Sequence, residues 1–215
     1  WAIAWHLVFS FTGILLSLYI SYKTGTWIIL LMNILCVLLL WLYSTTFKKK
    51  LLTGNVIISA LTAWVIIVVY FFAGAAIINY NGWHEGSYAF DVKKLYKFTI
   101  LYAGFAFILS LIREVVKDLE DMHGDAKYHC KTMPIEWGVP ASKVFTAVWI
   151  IVCSASLTII QIYVWQSGWW LSAVYCILFI ILPLLFILKE LRAAVIPADY
   201  HRISSIIKLV MLTGI

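Results

Sequence analysis

The sequence predicts an all-α polytopic transmembrane helix bundle. Three observations carry that reading: 64% of the residues are apolar, only 12% are charged, and the apolar residues gather in runs long enough to cross a bilayer. A soluble domain is about 25% charged, and a crossing helix needs roughly 17–25 apolar residues. Such runs fall at 2–20, 27–43, 55–78, 95–112, 143–165 and 169–188, and a last one opens near 203.

The first two runs are joined by the short connection 21–26 and the fifth and sixth by 166–168, so each pair is expected to be antiparallel neighbours in one bundle. Residues 1–215 read as a single domain. Trp1 opens the chain without Met, signal peptide or charged leader, and the last run stops at Ile215, so the sequence reads as an internal piece truncated at both ends. Pro183 lies within the sixth run and either kinks it, which can open a lateral cavity, or is a tolerated membrane proline with no special role. The polar, aromatic segment 79–94 suits an interfacial cap.

The formal net charge is +6, but the basic residues are divided among loops and form no nucleic-acid motif, so nucleic acid is not an expected partner. One set of alternate loops holds Lys48 to Lys50, Arg113, Lys117, Lys127, Lys131, Lys143, Lys189, Arg192 and Arg202; the opposite set holds only Lys23, Lys93, Lys94 and Lys97. The richer side is expected to be cytoplasmic, with Lys48 to Lys50 also suited to anionic membrane lipids. Cys36, Cys153 and Cys176 fall in apolar runs and Cys130 has no C-x-x-C partner, which points to packing. His123, His129 and Cys130 match no strong zinc spacing.

On the lysine-rich side, loops 44–54 and 113–142 are expected to converge. The second begins with a dense acidic segment. Read as a helix, it places Glu114, Asp118, Asp121 and Asp125 at offsets of four, three and four residues, along one stripe. Like charges at this spacing cost roughly 0.2–0.5 kcal/mol per pair, so a cation must offset them. Either the stripe is a solvated helix extension balanced by Lys117 and Lys127, or it binds a metal. An oxygen-only ligand set suits Mg²⁺.

Carboxylates with Mg²⁺ at the mouth of an apolar bundle suit a ligand with a diphosphate head and a hydrocarbon tail, such as a polyprenyl diphosphate. Lys48, Arg113 and Lys117 are candidates for the phosphate oxygens. Tyr43 is the preferred aromatic face for a developing carbocation.

Lys117-Asp118-Leu-Glu-Asp121-Met-His-Gly-Asp125, followed by Cys130-Lys131-Thr132-Met133-Pro134-Ile135 and Trp137-Gly138, resembles the second aspartate-rich motif of UbiA-type intramembrane prenyltransferases. Tyr43-Ser44-x-x-Phe47-Lys48 and the nearby Gly54-Asn55 are similar to that family's tyrosine-lysine loop. The resemblance covers essentially the whole chain and implies a nine-helix bundle of which about seven spans are present. The missing helices would include those bearing the first aspartate-rich motif. It implies Asp118, Asp121 and Asp125 as catalytic and Mg²⁺-holding residues, with Tyr43, Lys48, Arg113, Lys117 and Lys131 on the substrate. The implied reaction moves a prenyl group from a polyprenyl diphosphate to a lipophilic acceptor. The Lys-Thr-Met-Pro block looks closer to the branch that prenylates glyceryl phosphates than to the branch acting on aromatic quinone precursors.

Two other classes compete. CDP-alcohol phosphotransferases require Asp-x-x-Asp-Gly, whereas Asp121 is followed by Met122. A cation transporter would place acidic residues near the bilayer midplane, and here they lie at helix ends or in loops.

Overall fold

The computed structural model describes residues 1–47, 50–81 and 92–214, and every regular element among them is a helix. Helix α1 spans Ala2–Thr24 and α2 Ile28–Leu42, the latter running on as a π-helical turn over Tyr43–Phe47. Helices α3 (Thr53–Asn81) and α4 (Val92–Lys127) follow, then the single turn α5 (Met133–Glu136) and α6 (Gly138–Gln166). The rod α7 (Trp170–Cys176) continues through a π-helical turn, Ile177–Ile181, into α8 (Leu182–Ala193), and α9 (Pro197–Thr213) completes the described bundle.

Six of these helical rods are long and apolar enough to cross a membrane: α1, α2, α3, α4, α6 and the α7–α8 rod. The seventh apolar run is α9, of 17 residues. It begins at Pro197, six residues before the run expected from hydropathy. Pro197 fits the first helical turn, where a missing N–H costs nothing, and the Asp199 side chain accepts hydrogen bonds from the Val195 and Ile196 N–H groups at 2.8 and 3.1 Å.

The short connections make antiparallel neighbours as expected. Left-handed Gly25 (φ 69°) and Gly168 (φ 82°) turn the chain in the two connections. The Asn33 Nδ2 group of α2 then reaches the Gly13 carbonyl of α1 at 3.1 Å.

Pro183 does not break its rod. The Leu182 N–H reaches back five residues to the Ile177 carbonyl, a π-helical bond that widens the helix just before the proline ring. Pro183 has no N–H for the Phe179 carbonyl, and the Thr213 hydroxyl of α9 lies 3.3 Å from that oxygen.

Helix α4 is the pivot. It packs against α3, α5, α6 and α9. Its buried Leu109, Ile112, Val116 and Leu119 recur at three- and four-residue intervals and meet Ile150 and Cys153 of α6, Leu184 and Ile187 of α8, and Ile203 and Ile207 of α9. The carboxylate stripe lies on roughly the opposite side of the same helix, since two residues of offset turn an α-helix by about 200°. With 36 residues, α4 is about 54 Å long against a hydrocarbon core of about 30 Å. Its uninterrupted apolar run ends at Ile112, and the segment from Arg113 to Lys127 continues as four further turns that are apolar on one face as far as Leu119.

Candidate active site at the end of helix α4

The region from Arg113 to Lys127, expected as part of a loop, is continuous helix, because its apolar face stays buried to Leu119. This keeps Glu114, Asp118, Asp121 and Asp125 on one stripe. Asp118 lies in the electrostatic field of Asp125, Glu114 and Asp121, and the Tyr43 phenol in that of Glu114, Asp118 and Asp125. The Tyr43 end of α2 and the acidic end of α4 therefore lie within electrostatic reach of each other, and α3 packs against both.

The start of α3 closes the site. A methyl group at Gly54 would stand 2.9 Å from the Phe47 carbonyl oxygen and 3.4 Å from the Tyr43 ring. Without a Cβ, the backbone passes close enough for the next residue to reach α4: Asn55 Nδ2 donates to Asp118 Oδ2 at 2.7 Å. The sequence marked Gly54-Asn55 only as part of a motif. The contact across 63 positions was invisible there, because helical spacing relates residues only within one helix.

The carboxylates divide by charge partner. Arg113 Nη1 meets Glu114 Oε1 at 2.6 Å, so these neighbours neutralise one another, while the buried Arg113 Nε has no hydrogen-bond partner within the described protein. Glu120, on the other side of α4, meets His201 Nδ1 of α9 at 2.7 Å. Among the described residues Asp118 and Asp121 form no ion pair, and neither do Lys117, Lys127 or Lys131. The lysine-balanced extension thus finds no support from Lys117 or Lys127. Lys117 and Lys131 are exposed, and Lys48 lies outside the described residues.

The donors fit a hydrated divalent ion better than a closed cage. Among the described residues no three His, Cys, Asp or Glu side chains gather closely enough to hold a metal. One helix spaces successive stripe residues about 5–6 Å apart at Cβ, too far for three to close on one ion. Mg²⁺ does not require that closure: it keeps several waters and is commonly bound by one or two carboxylates together with substrate phosphates.

Lys143, assigned from sequence only to the basic loops, has a structural role. Its ammonium donates to the Ala194 carbonyl at the end of α8, an oxygen that Tyr200 also reaches at 3.3 Å. This fixes the α8–α9 turn beside α6.

Residues 2–203 match the model of the UbiA prenyltransferase family. The chain is 26% identical over 214 residues to digeranylgeranylglyceryl phosphate synthase of Methanosphaera stadtmanae, covering 98% of this chain and 67% of that protein. It is 30% identical over 180 residues to the protein of that name from Methanothermobacter thermautotrophicus, covering 81% and 54%. A solved structure of digeranylgeranylglyceryl phosphate synthase in membranes matches with a TM-score of 0.54 and 25% identity, over 96% of this chain and 65% of that one. The chain thus spans between about half and two thirds of the length of these proteins. A match over almost the whole chain, with the helical fold and two motifs in order, shows that it belongs to the UbiA prenyltransferase family.

Proposed function

We propose that this chain forms part of an Mg²⁺-dependent prenyltransferase site, which moves a prenyl group from a polyprenyl diphosphate to the hydroxyl of a geranylgeranylglyceryl-phosphate-type lipid. The observation that carries this reading is the hydrogen bond from Asn55 to Asp118, on a stripe where Asp118 and Asp121 have no ion-pair partners among the described residues and within the electrostatic reach of Tyr43. The names of the relatives favour the glyceryl phosphate acceptor over an aromatic one. The excess of Lys and Arg on this side favours a cytoplasmic active face.

In this reading Asp118, Asp121 and Asp125 supply the carboxylates for one or two Mg²⁺ ions, with no more than two of them on any one ion. When bound, Mg²⁺ supplies charge neutralisation for the departing diphosphate. Arg113 offers its Nε to a phosphate oxygen, and Lys48, Lys117 and Lys131 add positive charge around the head group. The apolar helices keep water from the allylic carbon, and the Tyr43 ring faces the positive charge that grows there as the C–O bond breaks. The acceptor oxygen then bonds to that carbon and its hydroxyl proton passes to solvent or diphosphate.

The test is Mg²⁺-dependent release of diphosphate from geranylgeranyl diphosphate by the natural full-length protein, with and without geranylgeranylglyceryl phosphate, beside the Asp121→Asn/Asp125→Asn double variant. Acceptor-stimulated release that the variant loses supports the proposal. No release and no binding across a panel of prenyl chain lengths rejects it.

A further inference from the structure

Asn55 is the residue of the site whose geometry is most specific and whose role the reaction scheme leaves open. It sits in the first turn of α3, held there by the close passage of Gly54 over Phe47, and its amide nitrogen meets one oxygen of Asp118 at 2.7 Å. An aspartate on one helix samples several rotamers, and each presents its oxygens differently. A donor on a second helix selects one of them. The bond engages Oδ2 and leaves Oδ1 of Asp118, a residue of the stripe that also carries Asp121 and Asp125, without a hydrogen bond among the described residues.

We propose that Asn55 is a positioning residue, which orients the Asp118 carboxylate so that Oδ1 faces the divalent ion. The proposal rests on the metal reading given above. Asn suits the position because a neutral donor holds the carboxylate without cancelling its charge. A lysine would pair with Asp118 and compete with the ion, and an aspartate would add a like charge at hydrogen-bonding distance. Partners of metal-ligating carboxylates in other proteins typically contribute about 10–100-fold to metal affinity.

The experiment is a titration of Mn²⁺ into the natural full-length protein in detergent, holding a thiolo analogue of geranylgeranyl diphosphate, with protein-bound Mn²⁺ read by electron paramagnetic resonance. Asn55→Leu keeps the branching at Cγ and removes the donor. The expected result is about tenfold weaker Mn²⁺ binding, an unfolding temperature close to wild type, and no further loss when Asn55→Leu is added to Asp118→Asn. Should Asn55→Leu not fold, Asn55→Ser serves, since a serine hydroxyl is too short to reach Asp118 and is tolerated near a helix start. Wild-type Mn²⁺ affinity with a lowered unfolding temperature would show a purely structural bond and overturn the proposal. Losses from Asn55→Leu and Asp118→Asn that add independently would overturn it as well. If Asp118→Asn and the wild type bind Mn²⁺ alike, the metal reading itself fails and the role of Asn55 falls with it.

Discussion

The backbone of Gly54 passes so close to Phe47 that a Cβ on Gly54 would stand 2.9 Å from the Phe47 carbonyl oxygen. The π-helical end of α2 and the first turn of α3 therefore touch main chain to main chain, and the obstructing atom cannot rotate away. Alanine in a helix usually gains about 1 kcal/mol over glycine. Here Gly54→Ala is expected to lower the unfolding temperature instead and to weaken Mn²⁺ binding by moving Asn55. A variant with a raised unfolding temperature and unchanged binding would show that α2 and α3 separate freely.

Arg113 sets a second prediction. Its Nη1 is engaged by Glu114 while its Nε has no partner within the described protein, so a substrate phosphate would complete the guanidinium. Arg113→Lys keeps the charge and loses the fork. A hydrogen bond to a charged group is worth about 1.5–3 kcal/mol, so KM for geranylgeranyl diphosphate is expected to rise at least about tenfold. Steady-state kinetics at saturating acceptor give the answer, and an unchanged KM would remove Arg113 from the substrate site.

The turn before α9 should respond to pH. Backbone N–H groups of Val195 and Ile196 hold the Asp199 carboxyl below its usual range. A carboxylate with a folded pKa below its unfolded value contributes stability above the unfolded value, about 3.9, and loses it as pH falls through the folded one. Asp199→Ala is therefore expected to unfold at a lower temperature than wild type at pH 7, with the difference closing below about pH 4. Thermal unfolding across roughly pH 3 to 7 measures it, and a gap that does not narrow as pH falls below about 4 would contradict the assignment.

Thr213 and Pro183 should be coupled. The Thr213 hydroxyl lies 3.3 Å from the Phe179 carbonyl that Pro183 cannot serve, and shares its one proton between that oxygen and the Leu209 and Val210 carbonyls of its own helix at 3.1 and 3.2 Å. Thr213→Val is expected to cost about 0.6 kcal/mol in the wild type, the average for such bonds in membranes, and less in Pro183→Ala, where the substituted residue supplies the missing N–H. A double-mutant cycle on unfolding in detergent measures the coupling, and strictly additive effects would argue against it.

Much of the architecture was legible in the sequence. Run length and composition determine that this chain spans a membrane as helices, and the short connections determine which neighbours are antiparallel, because the bilayer admits few ways to satisfy a backbone. Helical spacing by itself likewise aligns Glu114, Asp118, Asp121 and Asp125. The chemistry within that stripe was not legible. Only the packed helices show that Glu114 is taken by Arg113, that Glu120 turns to His201, and that Lys117 and Lys127 do not pair with the aspartates. Only they bring Asn55 to Asp118. The physical reason is range: periodicity is set by bonds a few residues apart, whereas partners across helices are chosen by close approach. At this site the approach is permitted by the missing side chain of Gly54.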